Sequence, residues 1–141
     1  MQMHYYFCVG LAFATTLVAC AAMRVDSDDL HGRWRVVEVS GTAPVARTEP
    51  GIDLAPDGRI SGSSGCNYFA GQYSIEGDRF NVTDLEMTLV ACGEGERANL
   101  IAQQEQAVLA ALGSGGTLVT DGPLLMLRGD DGGELRFERA Q

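Results

Sequence analysis

Gly58-Arg59-Ile60-Ser61-Gly62-Ser63-Ser64-Gly65-Cys66-Asn67-Tyr68-Phe69-Ala70-Gly71-Gln72-Tyr73 gathers four glycines, three aromatic residues and a cysteine into sixteen positions. Gly58, Gly62, Gly65 and Gly71 permit positive φ and close approach of neighbouring backbones, so the stretch reads as a tightly folded loop. Asn67 has the side chain that fixes such a turn by hydrogen-bonding nearby backbone groups. Phe69 and Tyr73 are assigned to the core and Tyr68 to the surface. Arg59, Asn67 and Tyr68 are the candidate interaction residues.

Outward from this stretch the chain repeats one grammar, a short alternating strand followed by a turn rich in Gly, Asp or Pro. Gly32–Val39 alternates with Trp34, Val36 and Val39 facing inward and Arg33, Arg35 and Glu38 outward. Residues 41–51 hold Pro44 and Pro50 and form a loop. Ile52–Leu54 and Arg59–Ser61 flank Pro56-Asp57-Gly58 as a hairpin. Strand, turn and strand recur across Gln72–Ile75 and Arg79–Val82. They recur again across Thr117–Val119, Leu124–Arg128 and Glu134–Glu138. Residues 97–112 differ: they lack Gly and Pro, and Leu100, Ile101, Gln104, Ala107, Val108, Ala111 and Leu112 form a stripe at helical spacing. Gly113 is the expected C-terminal stop. The fold class is therefore mainly β. It is a small antiparallel β-barrel-like sheet of about seven or eight strands with one α-helix near 97–112, closed because closure removes exposed edges.

Before Arg24 the chain carries no formal charge. Residues 5–18 form an apolar run as long as a secretory hydrophobic region and marginal for a membrane span. It ends in Leu17-Val18-Ala19-Cys20, which resembles the lipobox of bacterial lipoproteins. That resemblance implies a signal peptide over 1–19 and lipidation of Cys20, whose thiol is nucleophilic enough to be alkylated. It implies a lipidated tether over 20–29 and a domain over 30–141. The tether would reach roughly 15–20 Å. Ala21 at the second mature position points to the outer membrane facing the periplasm. Met1–His4 has no Lys or Arg, so a plain secretory signal and an uncleaved anchor stand beside this reading.

The central stretch, together with Thr88-Leu89-Val90-Ala91-Cys92, resembles the META domain, also described as HslJ-like. Leu30-His31-Gly32-Arg33-Trp34 is similar to that family's opening strand, and Asp131-Gly132-Gly133-Glu134-Leu135-Arg136-Phe137 to its closing strand. The resemblance implies a compact barrel-like fold with a helix and a role in envelope stress, drug tolerance or virulence, with no established catalytic activity. Cys66 and Cys92 are the thiols that remain once Cys8 leaves with the signal and Cys20 is lipidated. In an oxidising compartment a disulfide between them is expected. Two reduced buried thiols, or a redox or metal pair, are the alternatives.

Ten arginines and no lysines against nineteen acidic residues give a net charge of −9. This excludes a nucleic-acid role and electrostatic adhesion to anionic lipid. No catalytic set is found. Ser61, Ser63 and Ser64 each miss a glycine of a nucleophile elbow, and Gly113-Ser114-Gly115-Gly116 lacks the lysine and following helix of a phosphate loop. His31 is read as a surface residue, and neither a metal site nor a cofactor is expected. The expected function is that of a monomeric, non-catalytic lipoprotein. Its membrane contact would run through Cys20, and it would bind an envelope protein or cell-wall component. One alternative is inhibition of a secreted protease or lysozyme by the Ser61–Tyr73 loop, with the acidic charge steering it to a basic enzyme. Another is a carrier for a small apolar ligand, set against an interior expected to be filled.

Overall fold

The computed structural model describes residues 26–141. The signal-like segment, Cys8 and Cys20 lie outside the described residues. Eight antiparallel strands follow one another around a closed barrel: β1 (Gly32–Val39), β2 (Gly51–Leu54), β3 (Arg59–Ser63), β4 (Tyr68–Glu76), β5 (Arg79–Met87), β6 (Gly116–Asp121), β7 (Leu124–Gly129) and β8 (Glu134–Arg139). Closure comes from β8 pairing back onto β1. The one long helix among the described residues, α1 (Gly95–Ser114), lies between β5 and β6 in sequence. It fits there because β5 and β6 share only the pairs Arg79↔Thr117 and Phe80↔Gly116. Beyond Phe80, β5 diverges from β6, and the apolar stripe of α1 packs over the seam.

Alternation sends Trp34, Val36, Ile52, Leu54, Ile60, Phe69, Phe80, Leu118, Leu125, Leu127, Leu135 and Phe137 into one core, which Val108, Ala111 and Leu112 of α1 close. Phe80, Phe137, Leu54, Ile60, Leu127 and Leu135 are fully buried and fill the interior. Val36 and Val39 both face inward although three positions apart, because the β1–β8 register shifts between Val36 and Glu38. A β-bulge inserts the residue that this spacing needs. Tyr73 is half-buried; its ring lies 6.1 Å from that of Phe80 and its hydroxyl donates to the Ala55 carbonyl at 2.7 Å.

Several boundaries differ from expectation, among them the helix start, at Gly95 in place of 97, and Gly51, which opens β2. The helix runs through Gly113 to Ser114, and the residue that ends it is Gly115, with φ 69° and its N–H on the Leu112 carbonyl. Strands β4 and β5 are longer than the sequence pattern indicates and absorb Tyr68–Gly71 and Thr83–Met87. Asp28–Leu30 forms a 3-10 turn that buries Leu30, and its carbonyls are engaged. Leu30 accepts the Trp34 indole N–H at 2.8 Å, and Asp29 accepts the Arg139 guanidinium. The last residues assigned to the tether thus belong to the folded unit.

Candidate functional site

The stripe of α1 that faces the barrel contains Ile101, Glu105, Val108 and Leu112 at helical spacing, with Gln104 and Ala111 beside them. Two of these are polar, and both are buried, Glu105 to 7% exposure. They face the short connection Ser64–Asn67 between β3 and β4. One carboxylate oxygen of Glu105 accepts the Ser64 hydroxyl at 2.8 Å, the Cys66 N–H at 3.1 Å and the Asn67 N–H at 2.5 Å. The other accepts the Asn67 side-chain amide at 3.0 Å. Burial pushes the Glu105 carboxyl up. The Asn67 backbone and side-chain amides, the Ser64 hydroxyl and the Cys66 N–H together outweigh that push and hold it below the usual glutamate range. Among the described residues no cation pairs with it, so neutral donors alone keep this buried charge in place.

Gln104 ties down the loop before β2. Its carbonyl accepts the Val45 N–H at 2.7 Å, and its amide donates to Thr48 Oγ1 and to the Ser64 carbonyl, each at 3.1 Å. Asn67 passes the bracing outward. Its amide oxygen accepts the Val90 N–H at 2.8 Å and the Thr88 hydroxyl at 2.9 Å, while its nitrogen donates to the Val90 carbonyl at 3.3 Å. The Asn67 side chain thus replaces a strand partner for the irregular segment Thr88–Cys92. The Cys66–Cys92 disulfide fixes that segment a second time, closing a sequence separation of 26. In the chain-entropy account a loop of this length contributes roughly 3–4 kcal/mol.

The braced segment presents apolar side chains to solvent: Leu89 is 84% exposed, Val90 59% and Met87 39%. Between it and α1 runs a cleft of about 690 Å³ whose far wall includes Ala102, Leu109 and Ala110. Scattered exposed apolar side chains are ordinary, whereas Met87, Leu89 and Val90 lie together on one braced segment.

The three candidate interaction residues do not converge. Asn67 is buried and serves as the brace. Tyr68 is 67% exposed, as expected. Arg59 lies at the other end of β3, opposite Gln72, and pairs with Asp57 at 2.8 Å. The Ser61–Tyr73 stretch does not project as a loop. Ser61–Ser63 and Tyr68–Tyr73 are paired strand, and Ser64 and Asn67 are buried between them. Its glycines serve close packing instead: a Cβ on Gly62 would fall 2.0 Å from the Gly51 carbonyl oxygen.

Cys66, Cys92 and Glu105 bring their donor atoms within 4.8 Å of one another. With both sulfurs in a disulfide this trio offers no thiolate, and the Glu105 oxygens are already committed to N–H and O–H donors. Glu105 is the site residue that the sequence reading missed. Its signal is positional: a carboxylate four residues after Ile101 and three before Val108 must lie on the apolar stripe.

Fold and site together define a small closed antiparallel barrel whose helix is knotted to a disulfide-linked loop through one buried carboxylate. Solved structures share this architecture. One is a protein determined by NMR, 22% identical, with a TM-score of 0.67 over 81% of this chain and 94% of that one. A second NMR structure, of a protein from Burkholderia xenovorans, is 26% identical with a TM-score of 0.62, covering 81% and 86%. A DUF4847 family protein from Bacteroides vulgatus is 14% identical, with a TM-score of 0.53 over 80% and 96%. No curated protein matches. The chain belongs to the META domain family, whose model matches residues 27–141.

Proposed function

We propose that this chain is a non-catalytic, lipid-anchored envelope protein that supports stress or drug tolerance by binding an envelope protein through the Met87–Val90 rim. The observation that carries this reading is the exposed aliphatic segment held rigid by Asn67, Glu105 and the disulfide. Pre-ordering a contact segment removes the part of the binding cost that ordering it would otherwise add. The lipobox-like Leu17–Cys20 supports an anchor at Cys20, and the sorting residue Ala21 supports the outer membrane facing the periplasm. The chain acts as a monomer in this reading, its apolar rim engaged by the envelope partner.

The test is complementation in a strain lacking the protein, combined with photo-crosslinking from position 90, beside Leu89 on the exposed rim. Wild-type protein restores envelope-stress tolerance and crosslinks to one discrete envelope protein. Leu89→Glu folds normally, restores nothing and loses the crosslink. Full complementation by a folded Leu89→Glu variant would overturn the proposal. Inhibition of a basic secreted hydrolase is the second reading, and the exposed, doubly braced Thr88–Cys92 segment favours it. The inserted element would then be this segment in place of Ser61–Tyr73. Slowing of a lysozyme or protease at low salt, lost in Leu89→Glu, would select it.

A further inference from the structure

Beside the apolar rim, which it meets where Tyr68 pairs with Thr88, strands β1 to β4 carry a second cleft of about 490 Å³, within the roughly 300–1,000 Å³ range of small-molecule sites. Register builds it. Arg35, Gly51, Ser63 and Tyr68 lie side by side in one row across the four strands. Arg33, Asp53, Ser61 and Ala70 form the next row on the same face. The row between them, Trp34 to Phe69, points into the core. The middle positions are small, so the floor is low. The first row ends in a guanidinium on one side and an aromatic ring on the other, about 14 Å apart at three strand spacings.

The chemistry of the walls is specific. Tyr68 is 67% exposed. Arg35 is held in place by Glu138 of β8. Arg33 and Asp53 face each other across β1 and β2, and among the described residues neither has an ion-pair partner. The cleft thus offers donors and acceptors of both signs, and with Glu49 on its rim it does not favour an anion. The floor strands β2 and β3 are paired on both edges, so an extended peptide finds no ladder to join. Recognition there must come from side chains alone.

We propose that this cleft binds a glycan strand of N-acetylated hexosamines. Pyranose C–H groups carry partial positive charge and stack on the negative face of Tyr68. The acetamido group matches the unpaired couple, its N–H donating to Asp53 and its carbonyl accepting from Arg33. Ring hydroxyls meet Ser61 and Ser63. The cleft adjoins the rim at Thr88 but is not lined by Met87, Leu89 or Val90, so Leu89→Glu separates the two.

The experiment titrates the full chain with the β-1,4-linked N-acetylglucosamine tetramer and follows the heat of binding by calorimetry. A saturable change is expected, weakened roughly tenfold or more by Tyr68→Ala and by Arg33→Ala, and kept by Tyr68→Phe. Leu89→Glu should bind like wild type. The corresponding glucose tetramer, lacking acetamido groups, should bind more weakly. Three results would each overturn the proposal: no saturable response up to about 10 mM, equal affinity in Tyr68→Ala, or equal affinity for the glucose tetramer. Because Tyr68 and Arg33 are exposed, both variants leave the core intact, and near-UV circular dichroism verifies this.

Discussion

Replacing Glu105 with alanine removes the acceptor of four hydrogen bonds at once. The Ser64 hydroxyl retains the Asn67 carbonyl as an alternative acceptor at 3.2 Å, and the Asn67 side-chain amide retains the Val90 carbonyl. The Cys66 and Asn67 N–H groups lose their partner outright. At about 1–3 kcal/mol for each stranded donor, the loss is about 3–5 kcal/mol once the vacated side-chain volume is included. Glu105→Gln keeps one acceptor oxygen but sets its amide against the Asn67 amide, so it should fall between wild type and alanine. Urea unfolding of the oxidised protein reads the difference as a lower midpoint with an unchanged slope.

The pH dependence provides an independent check. Glu105 has a folded pKa below its unfolded value, so its contribution is complete above the unfolded pKa of about 4.3 and fades as pH falls through the folded one. The gap between wild type and Glu105→Ala should therefore be full at pH 7 and narrow progressively below about pH 4. A gap under about 1 kcal/mol at pH 7, or one that persists undiminished at pH 2, would refute the assignment of Glu105 as the ionised centre of the knot.

The paired variant Cys66→Ser, Cys92→Ser should lose about 3–4 kcal/mol, and intact mass after alkylation should show wild-type Cys66 and Cys92 reacting only once reduced. Gly62→Ala should cost about 3 kcal/mol because its Cβ would sit 2.0 Å from the Gly51 oxygen and 2.9 Å from Phe69 Cζ; a near-wild-type thermal midpoint would contradict this crowding. Gly113→Ala should instead stabilise by about 0.4–1 kcal/mol, since the position is helical and its Cβ would meet only Leu85 at 3.8 Å.

Local signals carried the barrel far. Strand β1 was legible to its ends, Gly32 to Val39, because Trp34 and Val36 alternate with arginines that must stay in water. The hairpin turn at Asp57-Gly58 was legible because a φ of 86° at Gly58 suits glycine. The helix was legible from its stripe, but its end was misplaced by two residues. Gly113 and Gly115 look alike in sequence, and only the sheet decides which leaves the helix.

The sequence by itself determined the alternation of the strands and the helical stripe. Each follows from the period of a single element. Closure was expected, but tertiary structure alone decided where it falls, β8 onto β1, and the seam at β5 and β6 that admits the helix. It also brought Glu105 onto Ser64, Cys66 and Asn67, 38 to 41 residues away. A carboxylate in a helix reads as a solvated face until the surface opposite is known. Burial turned Glu105 into the acceptor that this turn requires, and burial is a property of two elements together.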